Sequence, residues 1–155
     1  MTYRLEQEQV VNAPLERVFE FFSRARNLEA LTPPWMRFEV LTPEPIEMRA
    51  GTLIEYRMGV YHVPLRWTSR IEEWQPGRRF IDVQVRGPYR LWHHTHEFEE
   101  HPQGTLIRDN VRYEIAFGPL GVLAHAALVR RDLARVFDYR QEQVQHLLRE
   151  GALRA

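Results

Sequence analysis

The densest run of chemically capable side chains is His93-His94-Thr95-His96, with Asp109 further along the chain. Alternate residues of a strand share a face, so a His-x-His pair sets two imidazoles side by side. Neutral imidazole is the commonest metal ligand, and a grip on zinc or iron would need a third ligand: Asp109, or a group from another element. The same pair supports two other readings. His96 oriented by Asp109 is a general acid/base pair, and a His96–Asp109 hydrogen bond with His93 turned outward is a structural or ligand-orienting group. No nucleophile accompanies them: the chain has no Cys, and Ser69 and Thr95 have no activating neighbour in the sequence. No catalytic residue is therefore assigned, His96 and Asp109 being the pair if a reaction occurs, and neither a metal nor a cofactor is expected. Arg140 can bind a carboxylate or phenolate, or snorkel along a helix edge to water. The segment Gly118–Gly121 has a proline inside it and lacks the Lys and Ser/Thr of a nucleotide loop.

These residues need a scaffold, and hydrophobic period supplies one. Residues 3–11 read as a strand. Pro14 then opens a helix with Leu15, Val18, Phe19 and Phe22 on one face, and Leu28 and Leu31 mark a second short helix ended by Pro33-Pro34. Turn signals at Gly51, Pro76-Gly77, Gly87-Pro88 and 101–104 separate alternating segments near 36–41, 52–61, 64–74, 79–86, 90–100 and 105–115. After Gly121 the period becomes helical, with Leu133, Val136, Phe137, Arg140, Val144, Leu147 and Leu148 on one stripe. The order predicts an α+β domain: a seven-stranded curved antiparallel sheet wrapped around a long C-terminal helix, with two short helices after strand 1.

One helix does not cover the whole concave face of such a sheet, so a cavity is expected between them. Trp92 and Phe98 mark the even positions of 90–100 as inward, and Ile107, Val111, Tyr113 and Ile115 mark the odd positions of 105–115. A four-residue loop at 101–104 then pairs Phe98 with Ile107, His96 with Asp109, His94 with Val111 and Trp92 with Tyr113, in agreement with both patterns. A two-residue Gly87-Pro88 turn would set Val83 opposite Trp92 and Ile81 opposite His94. Leu65, Trp67, Ser69 and Ile71 face Ile54, Tyr56 and Met58. The expected cavity residues are thus Tyr56, Met58, Trp67, Ile71, Val83, Trp92 and His94, with His96, Asp109, Val111, Tyr113, Phe137 and Arg140. Trp35 is a lid, a membrane toe-hold or ordinary packing. The stretch 115–129 is read as a helix start buried under the sheet, with membrane docking as the alternative.

Composition sets the outer limits. At 155 residues with 44% hydrophobic, 12% aromatic and 27% charged residues, the chain fits one soluble domain, 1–155. A net charge of +0 gives no global pull toward nucleic acid or an anionic membrane. All 21 basic residues are Arg, and Arg78-Arg79 and Arg130-Arg131 read as solvated faces. No signal peptide and no segment long enough to span a bilayer is visible, so a cytoplasmic location and no stable membrane insertion are expected.

Several stretches carry a resemblance: Leu31–Trp35 (LTPPW), Arg66-Trp67, Gly87–Phe98 (GPYRLWHHTHEF), Phe117–Gly121 (FGPLG) and Val129–Leu133 (VRRDL). With the element order, they resemble the START-like, polyketide cyclase-like (SRPBCC) superfamily of helix-grip folds, and within it a bacterial ligand-binding group. The likeness runs over nearly the whole chain. It implies a helix-grip domain that binds a hydrophobic or amphipathic small molecule, such as a lipid, isoprenoid, quinone or polyketide, as carrier or sensor. It leaves two alternatives: a cyclase or dehydratase using His96 and Asp109, and an interaction module for a partner protein such as a redox enzyme of the epimerase type.

Overall fold

Proline at position 14 ends the first strand and starts the first helix. In the computed structural model, which describes residues 1–151, β1 (Tyr3–Val11) leads to α1 (Leu15–Phe22), with Pro14 as its N-cap at φ −63°. A fixed φ near that value is already helical, so the ring costs the first turn nothing. Val18, Phe19 and Phe22 are buried, as their spacing requires. After α2 (Asn27–Leu31), Pro33 and Pro34 force a single 3₁₀ turn over Pro34–Met36. Arg37 then takes a left-handed φ of 46°, which breaks the strand expected from residue 36 and shortens β2 to Glu39–Val40.

Five long strands follow: β3 (Leu53–Val60), β4 (Val63–Gln75), β5 (Arg79–Arg86), β6 (Tyr89–His101) and β7 (Gly104–Ile115). The antiparallel sheet has the order β1-β7-β6-β5-β4-β3-β2. After β7 the chain turns helical: α3 (Gly118–Ala124), a wide π turn over His125–Val129, and α4 (Arg130–Arg149) form one run of 32 residues. Leu133, Phe137 and Val144 of α4 are buried against the sheet.

The β6–β7 register is the expected one, with Trp92 opposite Tyr113, His94 opposite Val111, His96 opposite Asp109 and Phe98 opposite Ile107. The β3–β4 ladder likewise pairs Ile54 with Ser69, Tyr56 with Trp67 and Met58 with Leu65.

The β5–β6 ladder differs by one residue. Phe80 lies opposite His96, Asp82 opposite His94, and Val83 opposite His93. Side chains alternate, so a one-residue offset turns Ile81 and Val83 to the convex face and brings Phe80 and Asp82 inside. Two features force this. The connection between β5 and β6 is not the tight two-residue turn expected, and the β4–β5 ladder carries a register shift between Ile71 and Glu73. That shift puts Trp74 on the same face as Ile71 and opposite Phe80, fixing the parity of β5 from its other end.

The buried residues divide into two clusters. One surrounds the cavity and includes Ile54, Tyr56, Trp67, Trp92, Tyr113 and Phe137. The other closes the far end beneath α1, with Phe19, Phe22, Phe80, Phe98 and Val144. The helix start expected to be buried is instead largely exposed: Phe117, Leu120, Val122, Leu123 and Leu128 face outward, and between residues 117 and 128 only Gly121 and His125 are buried. Among the described residues, no helix is long and apolar enough to cross a membrane. The expected span 1–155 runs into residues 152–155, outside the described residues.

Candidate functional site

Between sheet and helix lies a cavity of about 330 Å³. Ile54, Tyr56 and Met58 of β3, Trp67, Ser69 and Ile71 of β4, and Trp92, His94 and His96 of β6 form its sheet wall. Leu133, Val136, Phe137 and Arg140 of α4 form the opposite wall. Strand alternation delivers Trp92, His94 and His96 to one face, and a register shift between Tyr89 and Leu91 brings odd-numbered Tyr89 to that face too.

Of the residues expected at the cavity, Tyr56, Met58, Trp67, Ile71, Trp92 and His94 are on its wall, as are His96, Phe137 and Arg140. Asp109, Val111 and Tyr113 are buried on the inner face but do not line the cavity. Val83 lies outside it, a correction that follows from the β5 offset. Asp82 and Phe80 take its place. The signal that could have found them is Trp74 and Phe80 flanking the Pro76-Gly77 turn: two large aromatics seated opposite each other set which parity of β5 points inward.

The polar groups gather at the end away from the strand termini. His96 is the last wall residue of β6, and Phe98 beyond it belongs to the closing aromatic cluster. His96 Nε2 is 2.5 Å from Asp82 Oδ2, and His94 Nε2 is 2.8 Å from Asp109 Oδ1. The two imidazoles stack with centroids 3.6 Å apart, and His96 also stacks on Phe80 at 4.1 Å. Arg140 Nη2 lies 3.4 Å from His96 Nδ1 and 3.8 Å from Asp109 Oδ1. Its side chain is only 11% exposed and its guanidinium packs on Phe22 and Phe137, so it points inward and does not snorkel to water. His93 lies on the outer face, 3.7 Å from Glu72.

The electrostatics follow from burial. Burial, then the adjacent His94, lowers His96 to about 4, even though its bond to Asp82 pulls the other way. Burial alone would raise Asp109, but Arg140 first, then the His94 hydrogen bond, hold it well below the usual carboxylate range. Asp82, also buried, is held below its ordinary value mainly by the His96 hydrogen bond. At neutral pH the cluster is therefore two carboxylates, neutral His96 and one guanidinium. Since Nδ1 of His96 faces a guanidinium, which can only donate, its proton sits on Nε2 and is given to Asp82. Burial also pushes the Tyr56 and Tyr89 hydroxyls well above their ordinary value, keeping them neutral donors.

Ligand-type atoms of Asp82, His94 and His96 lie within 4.8 Å of one another, the composition of a two-histidine, one-carboxylate metal set. As arranged, a proton and not a metal fits between His96 Nε2 and the Asp82 oxygen 2.5 Å away, and Arg140 adds a positive charge beside them. The arrangement favours a proton-ordered hydrogen-bond network.

The cavity's other end reaches the strand termini at Val60, Pro88 and Ile115 and the helix at Val129. There Tyr113 Oη and His125 Nε2 are hydrogen-bonded at 2.7 Å, and Tyr3 stacks on His125 at 3.5 Å.

A curved antiparallel sheet gripping a long C-terminal helix around an apolar cavity defines the helix-grip class. Within that class, the chain belongs to the family described as polyketide cyclase / dehydrase and lipid transport, whose sequence model matches residues 11–138. No curated protein sequence matches it. Among solved structures it is similar to protein CV1439 from Chromobacterium violaceum, with TM-score 0.72, 17% identity, and coverage of 93% of this chain and 96% of that one. It is also similar to major latex-like protein 151 from Panax ginseng, with TM-score 0.68, 10% identity, and coverage of 94% and 96%. A nucleoside-diphosphate sugar epimerase from Corynebacterium glutamicum matches at TM-score 0.63 and 25% identity, over 94% of this chain and 29% of that longer chain.

Proposed function

We propose that the protein binds one apolar or amphipathic small molecule in its cavity, polar end innermost, as a carrier or sensor. The observation that carries this reading is the cavity's polarity gradient: aromatic and aliphatic walls from the strand termini inward, and the His94–His96–Asp82–Arg140 cluster at the closed end. A volume near 330 Å³ suits one compact molecule such as a short isoprenoid, a quinone head or a small polycycle, and not a two-chain lipid. Burying about 400 Å² of ligand apolar surface contributes roughly 10 kcal/mol before association losses, against about 1 kcal/mol for one neutral hydrogen bond. Affinity then comes from the walls and orientation from the cluster.

A catalytic reading gains one specific support. His94, oriented by its bond to Asp109, has its second ring nitrogen 3.8 Å from Asp82, beyond hydrogen-bond reach and free to take a proton. If the family's cyclase or dehydratase chemistry operates here, His94 with Asp109 is better placed than His96, whose two nitrogens are both engaged.

The test uses 1-anilinonaphthalene-8-sulfonate as probe. The wild type should bind one equivalent with enhanced fluorescence, and Leu133→Trp, which fills the cavity from the helix side, should lower its affinity more than about tenfold. Failure of the probe to bind, or equal binding by the filled variant, would count against the cavity as the binding site.

A further inference from the structure

The segment that opens the long helix is inverted relative to ordinary amphipathic packing. Residues 117–128 contain no charged side chain, and their exposed members include Phe117 at 81%, Leu120 at 73% and Leu123 at 66% relative exposure. What turns inward is Gly121 and His125. Gly121 sits so close to the end of β7 that a Cβ there would lie 2.1 Å from the Ala116 carbonyl oxygen. His125 is held by Tyr113 and by the stacked Tyr3 ring. The contacts that fasten this helix are thus made by a glycine and a histidine, and the large apolar residues are left outside.

Two aromatic residues at this sheet edge, Phe117 among them, are presented at a backbone cost. Tyr61, at the β3–β4 turn, has φ 50° and is followed by His62 at φ 64°; Phe117, after β7, has φ 75°. Left-handed backbone is disfavoured for bulky side chains and usually falls to Gly or Asn. Both Tyr61 and Phe117 are exposed in it. Antiparallel pairing places the ends of β3, β5 and β7 and the starts of β4 and β6 on one edge, where the cavity lining also reaches half-buried Val60 and Ile115 and exposed Pro88.

Charge is as one-sided as polarity. The segments 34–38, 60–63, 86–90 and 115–131, which meet at this edge, hold Arg37, Arg86, Arg90, Arg130 and Arg131, all exposed, and contain no Asp or Glu. The carboxylates that border these segments are Glu114, which faces Arg90 at 3.8 Å, Glu39, which is paired with Arg57, and Asp132, which follows Arg131 on α4. In a chain of net charge +0 this is a local excess of cations around an apolar tip. Apolar side chains that enter the acyl boundary, ringed by Arg at headgroup level, form the pattern of a peripheral membrane-binding surface.

We propose that this edge docks on an anionic lipid bilayer, with Phe117, Leu120 and Leu123 inserted and Arg130 and Arg131 on the headgroups, so that the end of the cavity lined by Val60, Pro88 and Ile115 faces the membrane. The docking is reversible and spans nothing. Its purpose rests on the ligand-binding reading, but vesicle association requires no ligand, so the two stand or fall on different measurements.

The experiment is co-sedimentation of the whole protein with phosphatidylcholine vesicles, with and without phosphatidylglycerol, at low and high salt. The wild type should bind the phosphatidylglycerol vesicles and lose that binding as salt rises. Leu120→Asp with Leu123→Asp, on exposed positions where folding is spared, should bind more than about tenfold more weakly. Each basic residue near an anionic surface is worth about fivefold, so Arg130→Glu with Arg131→Glu should bind more than about twentyfold more weakly. Circular dichroism and Tm confirm that each variant is folded. The proposal is overturned if wild type stays in the supernatant with both vesicles, or if the aspartate variant binds as wild type does. It is also overturned if the chain forms a dimer that the aspartate variant dissolves while vesicles are ignored, since the face would then belong to a second copy. Binding to a protein domain that the aspartate variant abolishes, again without vesicle binding, assigns the face to a protein and overturns it equally.

Discussion

His96 directs its Nε2 at Asp82, 2.5 Å away, although the residue directly across the ladder from it is Asp109. Stacking on Phe80 fixes the ring plane, and the β5 offset brings Asp82 into reach. The two imidazole–carboxylate bonds therefore cross between strands, His94 taking Asp109 and His96 taking Asp82.

This crossing makes stability depend on pH in a defined window. His96 has its folded pKa lowered to about 4, so burial favours its neutral form. Its contribution is complete above its unfolded value of about 6.5 and is lost progressively as pH falls toward 4, at a cost of about 3 kcal/mol. The depressed carboxylates Asp82 and Asp109 act lower, below about pH 4. His96→Gln, which keeps a donor for Asp82, should flatten the loss of Tm between about pH 7 and pH 4. Parallel Tm curves for the two proteins would show that His96 does not titrate in that window.

Arg140 lies 3.8 Å from buried Asp109 and also acts on half-buried Asp82. Arg140→Met leaves them without it and should cost about 3–5 kcal/mol in urea denaturation. Adding Asp109→Asn to that variant should recover part of the loss, because one unpaired charge is removed. Strict additivity of the two changes would mean that Arg140 and Asp109 are not coupled.

The β5 offset separates neighbouring residues by role. Asp82→Asn removes a charge-assisted bond and should cost about 2 kcal/mol while weakening ligand binding. Val83→Thr, on the convex face, should change stability by less than about 1 kcal/mol and leave ligand binding unaltered. The reverse order in a titration of both variants would restore the two-residue turn.

Gly121→Ala should destabilise the protein by about 1–3 kcal/mol, because the added Cβ meets the Ala116 carbonyl oxygen and not a flexible side chain. Amide exchange should show the loss concentrated at residues 117–128. Unchanged exchange there would mean that α3 is held by other contacts.

Where two patterns constrain one register, the sequence is readable: the parities of β6 and β7 agree with the loop at 101–104, and His94, His96 and Asp109 take the expected register and inward face, although Asp109 bonds His94 and does not line the cavity. β5 is misplaced by one residue when a two-residue Gly87-Pro88 turn sets its register: Ile81 and Val83 face outward, and the bulge that fixes the parity depends on tertiary pairing with β4. Asp82 was lost with that parity. The exposed start of the long helix was illegible for a different reason: apolar residues at helical spacing normally mark a buried face, and only the docked backbone shows that Gly121 and His125 take it instead.

The central claim, an apolar molecule held polar-end-first in the cavity, is tested most directly by native mass spectrometry of gently purified protein, with solvent extraction of any adduct. The account predicts a one-to-one lipophilic species that is missing from Leu133→Trp. A bare wild-type protein, still bare after incubation with mixed isoprenoids and quinones, would contradict it.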